Sequence, residues 1–195
     1  MNSLNHLSEQ ELVQLYLKGN TNALSILISR YKDKIYTSIY LLVKDKYQAE
    51  DIFQEVFIRI IDSLKAKGYS NEGKFLPWAL RIAHNLCVDH FRKIKRTPKI
   101  TTSDDRDIFE VLNFSEPNAE TRLIQCQRHE KVRKMIDLLP EDQREVIILR
   151  HYGDLSFKEI ASITKCSTNT ALGRMRYALI NLRKLIEKHQ LVTEI

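Results

Sequence analysis

The sequence has little glycine, proline or cysteine, and each shortage argues against a kind of protein. Five glycines and four prolines in 195 residues leave few positions for the turns that separate short strands, so the composition favours helices. Three widely spaced cysteines without a CxxC pair argue against a disulfide framework or a zinc site. We expect each to be a small packed apolar residue; they are Cys87, Cys126 and Cys166.

Long apolar runs and metal-ligand motifs are also missing. No stretch approaches the roughly 20 apolar residues that cross a bilayer, and the N-terminal MNSLNHLSEQ has no signal-peptide core. The histidines do not pair with each other or with carboxylates in a metal-ligand motif; they are His6, His84, His90, His129, His151 and His189. The sequence therefore predicts a soluble, cytoplasmic protein with no metal, no cofactor and no small-molecule substrate.

Charge divides the chain into three parts. Lysine and arginine exceed aspartate and glutamate by 31 to 25, which makes an anionic partner plausible. Residues 1–96 and 118–195 are net basic, whereas residues 97–117 contain two basic and five acidic side chains. That acidic stretch has no sustained hydrophobic period. We therefore expect an all-α protein with two helical domains, 1–96 and 118–195, joined by an acidic flexible linker at 97–117.

Local signals place the helices within these domains. Capping boxes at Ser8–Glu11 and Ser156–Glu159 mark two helix starts, and Pro77 suits the first turn of the fourth helix of the chain. Pro140 opens a helix that we expect to run unbroken to Gly153.

The helix that contains AEDIFQEVFIRIID presents acidic and apolar side chains opposite its buried stripe. We call this the acidic face: Asp51, Gln54, Glu55 and Ile58. Asp62 and Ile61 are predicted beside it. A protein partner with a basic, partly apolar surface would suit such a face. A solvated face with its isoleucines covered by another helix explains the pattern equally well.

The next helix, PWALRIAHNLCVDHFRKIKR, carries a row of basic and polar side chains. Its predicted inward residues are Leu80, Ala83, Leu86, Cys87 and Ile94. The opposite side and the preceding loop form what we call the stacking face: Tyr69, Ser70, Asn71, Trp78, Arg81, Asn85, Arg92 and Arg96. Guanidinium groups with an aromatic ring suit backbone phosphates and unpaired bases. The alternative is a solvated basic helix whose tryptophan belongs to the core.

Residues 158–179, KEIASITKCSTNTALGRMRYAL, have the pattern of a helix-turn-helix with a three-residue break. Arg176 could pair with a guanine and Asn169 with an adenine, while Arg174, Arg183 and Lys184 suit phosphates. The candidate DNA-binding residues are Ser167, Asn169, Thr170, Arg174, Arg176, Tyr177 and Lys184. This pattern favours DNA binding over a purely structural bundle.

Three motifs in order resemble a known family. AEDIFQEVFIRI, then FLPWALRIAHNLCVDHFRKIKR, then LLPEDQREVIILRHYGDLSFKEIASITKCSTNTALGRMRYALINLRK are similar to an extracytoplasmic-function (ECF) sigma factor of the sigma-70 family. The resemblance implies a region-2 domain and a region-4 domain, and a promoter-specificity subunit that is not an enzyme. It also implies core RNA polymerase, promoter DNA and an anti-sigma factor as partners.

The resemblance assigns a task to each surface. The acidic face would dock on the β′ clamp helices of the polymerase, and the stacking face would read and melt the −10 element. The helix-turn-helix would read the −35 element and touch the β flap. Many members carry an arginine and a small polar residue where this chain has Leu172 and Gly173, so the expected base contacts are Asn169, Thr170, Arg176 and Tyr177.

Two other functions are open to the sequence. A conventional helix-turn-helix regulator would bind a pseudopalindromic operator as a symmetric dimer, without polymerase. An all-helical metal-dependent hydrolase would need a histidine and carboxylate ligand set, which the histidine spacing does not provide.

Overall fold

The computed structural model describes residues 4–66, 69, 74–96 and 132–188. The chain divides into two compact units, Met1–Arg106 and Asp107–Ile195. Within the described residues the secondary structure is helical and contains no strand. The prediction of an all-α fold with two helical domains is confirmed. The linker predicted at 97–117 lies outside the described residues, so its boundaries stay a prediction.

The described part of the first unit is a four-helix bundle. Its helices are α1 (Glu9–Leu17), α2 (Thr21–Val43), α3 (Lys46–Lys65) and α4 (Phe75–Arg96). Helix α2 packs against the other three, and α3 packs against α4. The fully buried side chains between them include Leu12, Leu27, Ile35, Ile39, Ile60, Leu64, Phe75 and Leu80. These residues recur at helical spacing, so each helix turns one apolar stripe towards the common core.

Side-chain caps start the first three helices. The capping box predicted at Ser8 and Glu11 is present, and the side chains of Asn20 and Asp45 accept backbone hydrogen bonds at the starts of α2 and α3. Arg30 on α2 donates hydrogen bonds to the carbonyl oxygens of Asn5 at 3.1 Å and Leu7 at 3.2 Å. The segment before α1 is thereby attached to the bundle.

The second unit contains the helix-turn-helix. Residues 132–137 are helical (α5), followed by α6 (Glu141–Ile147), a π-helical turn (Ile148–Tyr152), α7 (Phe157–Ile163) and α8 (Thr168–Lys188). Helix α8 packs on both α6 and α7. Its inward stripe closes a small core with α5 and α6, formed by Ile136, Leu139, Ile147, Met175, Ala178, Leu182 and Leu185.

Three local expectations are wrong. The helix after Pro140 is not α-helical to Gly153, because a π-helical turn takes over at Ile148. Four residues rather than three separate α7 from α8. Ile94, predicted to point inward, is 48% exposed. The neighbours of Ile94 from Arg92 to Arg96 are exposed as well, so the last turn of α4 lies beyond the packed part of the bundle.

Candidate nucleic-acid and protein interfaces

The acidic face lies on the outer side of α3. Asp51 and Gln54 are exposed, Glu55 is half-buried, and Ile58 is 54% exposed. Glu55 is paired with its own helix, because Oε1 accepts a hydrogen bond from Nε of Arg59 at 2.8 Å. Surface pairs of this kind contribute little to stability, so Glu55 remains available to a stronger basic partner. Ile61, predicted on the same side, is half-buried.

A groove of about 760 Å³ lies between α3 and α4. It joins the acidic face and the stacking face, which the sequence analysis described as separate surfaces. Its walls include Asp51 and Glu55 of the acidic face together with Arg92 and Arg96 of the stacking face. The rise of an α-helix places Arg92 about 21 Å along α4 from Trp78. The stacking face therefore divides into one part near Trp78 and another that borders the acidic face.

The part near Trp78 is built around an aromatic cluster of Tyr31, Tyr69, Phe75 and Trp78. Ring centroids are 4.6 Å apart for Tyr69 and Trp78, and 5.7 Å apart for Phe75 and Trp78. Trp78 and Tyr69 are half-buried. The rings of Trp78 and Tyr69 are thus partly packed and partly accessible. Trp78 therefore both belongs to the core and presents a surface on which a base could stack.

The remaining members of the stacking face differ in position. Arg81 and Asn85 are exposed on the outer side of α4, within two turns of Trp78. Arg92 donates a hydrogen bond through Nη1 to Oδ1 of Asp89 at 3.4 Å. Ser70 and Asn71 lie outside the described residues, so their part in the face stays a prediction.

Sequence reasoning missed Glu9, whose carboxylate contacts two members of this aromatic cluster. It accepts hydrogen bonds from the Tyr31 hydroxyl and from the backbone N–H of Phe75. Burial, together with the hydrogen bond to Glu9 and the negative charge of Glu9, raises the pKa of Tyr31 to about 12. Tyr31 is consequently protonated at neutral pH and acts as a donor.

In the helix-turn-helix, Ser167 caps α8. Its hydroxyl oxygen accepts a hydrogen bond from the backbone N–H of Thr170 at 3.0 Å, and the two hydroxyl groups are 2.8 Å apart. Lys165 occupies the left-handed region at φ 54° in the turn before it. This cap gives the first turn of α8 a defined direction.

The outer side of α8 is open. Asn169, Thr170, Arg176, Tyr177 and Lys184 are all exposed, as the sequence predicted. A Cβ atom on Gly173 would find no atom within 4 Å, and Leu172 beside it is exposed. An exposed apolar side chain and a glycine therefore lie next to each other on this side of α8.

Arg174 differs from the other candidates because it forms an ion pair within the protein. Its Nε lies 3.3 Å from Oδ2 of Asp142 on α6, and its side chain is 28% exposed. Asn181 adds a second link, because Nδ2 donates to Oε1 of Gln143 on α6 at 2.9 Å. These contacts hold α8 against α6 and set the direction in which its outer side points.

Arg150 positions the helix that precedes the turn. Its Nη1 donates to the carbonyl oxygen of Leu155 at 2.7 Å, and its guanidinium lies 5.3 Å from the ring centroid of Phe157. The capping box at Ser156 and Glu159 follows directly. Together these contacts fix where α7 begins.

Neither a metal-ligand cluster nor a membrane-spanning helix occurs in the part of the chain that the structure describes. In residues 4–66, 69, 74–96 and 132–188, no three His, Cys, Asp or Glu side chains group as metal ligands. No helix in the same ranges has the length and hydrophobicity needed to cross a membrane.

Two family models match the chain. One described as Sigma-70 region 2 matches residues 27–97, and one described as Sigma-70, region 4 matches residues 129–176. The first match begins within α2 and extends beyond the end of α4, so it includes the acidic and stacking faces. The second extends into α8 as far as Arg176.

Curated relatives match over most of the chain. The ECF RNA polymerase sigma-E factor of Escherichia coli strain K12 is 30% identical over 176 residues, which is 87% of this chain and 89% of that protein. The RNA polymerase sigma-H factor of Pseudomonas aeruginosa is 28% identical, with 92% of each chain covered. Among solved structures, the sigma factor RpoE of Bartonella quintana, in complex with the anti-sigma factor NepR, has a TM-score of 0.66 at 17% identity. That match covers 84% of this chain and 96% of the other.

Proposed function

Because the chain belongs to the ECF subfamily of sigma-70 RNA polymerase sigma factors, we propose that it binds core RNA polymerase and directs transcription from promoters with −10 and −35 elements. The observation that carries this proposal is the order of the two matched regions, each bearing exposed side chains suited to its task. Sigma factors are initiation factors, and we assign this chain no catalytic residue and no small-molecule substrate. We propose that it acts in the cytoplasm, where the polymerase is.

The acidic face is the proposed contact with core polymerase. Asp51, Gln54 and Ile58 are exposed and offer charge, an amide and an apolar side chain to the β′ clamp helices. Glu55 would exchange Arg59 for a polymerase cation. Since the groove also contains Arg92 and Arg96, the clamp helices would meet a mixed surface with both signs of charge.

The aromatic cluster is the proposed reader of the −10 element. Extruding one base from a duplex costs a few kcal/mol, and stacking it on an aromatic side chain returns roughly 1–3 kcal/mol. Trp78 and Tyr69 supply the rings, and Arg81 and Asn85 supply a cation and an amide on the same side. One captured base about breaks even, so the first unit alone is not expected to open DNA.

The exposed side of α8 is the proposed reader of the −35 element. Arg176 and Asn169 suit bidentate contacts with a guanine and an adenine, each discriminating by roughly 1–3 kcal/mol. Thr170 and Tyr177 lie beside them, and Lys184 suits a phosphate. We propose that residues 1–96 and 118–195 act as two DNA-binding domains connected by 97–117. Binding by one domain raises the effective concentration of the other at its element.

An anti-sigma factor is a further proposed partner. The Bartonella quintana structure shows a sigma factor of similar fold with an anti-sigma factor. By that analogy we propose that an anti-sigma factor binds this chain.

In vitro transcription tests the function directly. Core polymerase with the purified chain should initiate at discrete start sites, and an alignment upstream of those sites should return two conserved elements. Core polymerase alone is the control. No promoter-dependent start with the chain added would reject the proposal, and a pseudopalindromic footprint formed by the chain alone would favour a dimeric operator-binding regulator instead.

A further inference from the structure

Glu9 connects three helices of the first unit through one carboxylate. It is the first residue of α1 and is half-buried. Its Oε1 accepts a hydrogen bond from the Tyr31 hydroxyl on α2. Its Oε2 accepts one from the backbone N–H of Phe75 at 2.9 Å, across 66 positions in the chain. The second contact is therefore tertiary and places α1 against the start of α4.

A carboxylate at this point acts on α4 in two ways. The Phe75 N–H is in the first turn of α4, where backbone donors have no acceptor within the helix. Glu9 supplies an acceptor, and its negative charge interacts favourably with the positive end of the helix dipole. A charged acceptor also makes a stronger hydrogen bond than a neutral one. The start of α4 is thus held in one place relative to α1.

The two partners of Glu9 support the residues proposed to receive bases. The rings of Tyr31 and Phe75 stack with centroids 5.8 Å apart. The Phe75 ring is fully buried and lies 5.7 Å from Trp78 and 6.4 Å from Tyr69, between centroids. Because packed rings cannot shift independently, a displacement of Phe75 would also displace Trp78 and Tyr69.

We propose that Glu9 is a positioning residue for promoter opening. It contacts no DNA; it holds Tyr31 and the start of α4 so that Trp78 and Tyr69 are preorganised for an extruded base. This inference rests on the proposed function. It predicts that loss of the Glu9 carboxylate slows strand opening while leaving the affinity for core polymerase unchanged, because the acidic face does not include Glu9 or its partners.

The test uses holoenzyme assembled with Glu9→Ala or Glu9→Gln on one promoter in two forms, fully duplex and premelted around the −10 element. Open complexes on the duplex are followed by permanganate reactivity of unpaired thymines. We expect Glu9→Ala to slow their formation about tenfold, the factor that corresponds to about 1.4 kcal/mol. Glu9→Gln, which keeps one acceptor oxygen, should lose less. On the premelted template both variants should approach the wild-type rate.

Glu11→Ala is the matched control. It removes a carboxylate from the same turn of α1, where Glu11 accepts hydrogen bonds from Ser8 and is exposed. This variant should open the duplex promoter at the wild-type rate. Tyr31→Phe keeps the ring but removes the hydroxyl donor, so its loss should be smaller than that of Glu9→Ala, since the Phe75 contact remains.

Three results would overturn the inference. Opening of the duplex at the wild-type rate by Glu9→Ala would remove its basis. Equal losses on both templates, with weaker core binding, would show a general folding role. If Glu9→Ala does not fold, Glu9→Gln becomes the test variant. Opening of the duplex promoter by Glu9→Gln at the wild-type rate would then contradict the inference. Failure of the wild-type chain to initiate on either template would instead reject the proposed function, and the inference with it.

Discussion

At the scale of single residues, similar side chains differ in what they are free to do. Arg174 and Arg176 are two positions apart on α8, yet Arg174 is ion-paired with Asp142 and mostly covered, whereas Arg176 is exposed. Sequence reasoning assigned both to DNA. The structure gives Arg174 a partner within the protein, so its contribution to a DNA complex would require that pair to be exchanged.

Arg176→Ala should weaken binding to the −35 element in a sequence-dependent way. Loss of a bidentate base contact costs about 1–3 kcal/mol and relaxes the preference at one base pair. Competition binding of holoenzyme to promoters with each substitution in the −35 element measures this. Lys184→Ala is the comparison, because loss of a phosphate contact should weaken all sequences about equally. An unchanged base preference in Arg176→Ala would contradict the assignment.

Cys87 should resist alkylation in the native protein. Burial raises the pKa of its thiol to about 12, and the thiolate is the reactive form. The thiol stays protonated at neutral pH, and any stability that depends on this proton would be lost only as pH rises from about 9 towards 12. Mass-spectrometric mapping after iodoacetamide treatment should find Cys166, which is half-buried, modified before Cys87. Faster modification of Cys87 than of Cys166 would contradict this.

At the scale of helices, the capping signals were predicted correctly, whereas the π-helical turn and the distant contacts were not. The capping boxes at Ser8 and Ser156 were predictable because each depends on residues three positions apart. The contact between Glu9 and Phe75 was not, because 66 residues separate its partners and no spacing rule relates them. The π-helical turn at Ile148–Tyr152 was not predicted either, because such turns are rare and usually occupy a single turn within a longer helical segment.

Gly173→Ala should stabilise the second unit. The glycine lies inside α8, where glycine is about 0.8–1 kcal/mol less favourable than alanine, and a Cβ there meets no atom within 4 Å. Urea unfolding should show a higher midpoint with an unchanged slope. Ala178→Gly, at a buried position of the same helix, should lower the midpoint. A lower midpoint for Gly173→Ala would mean that the glycine has a structural role.

At the scale of the whole molecule, two helical units bear different candidate surfaces. Composition and charge were enough to predict the units, because each contains its own basic excess and its own set of apolar stripes. The division of the stacking face was not predictable, because it depends on how α3 packs against α4. Only that packing brings Arg92 and Arg96 to the groove of Asp51 and Glu55.

The double change Asp51→Ala with Glu55→Ala should weaken binding to core polymerase. Removing two carboxylates from a docking surface also slows association, most clearly at low salt. Fluorescence competition for core polymerase, at two ionic strengths, measures both effects. Asp33→Ala, an exposed aspartate on α2, is the control and should bind normally. Unchanged core affinity of the double variant would place the docking surface elsewhere.

The bonds from Arg30 to Asn5 and Leu7 have a practical consequence for anyone engineering this chain. These hydrogen bonds attach the segment before α1 to the bundle, and Glu9 of α1 in turn contacts the start of α4. Removing Asn5 and Leu7, or fusing a bulky affinity tag close to them, would disturb their hydrogen bonds to Arg30 and the packing of α1. Tags belong at the opposite end, or behind a spacer long enough to leave those carbonyl groups undisturbed.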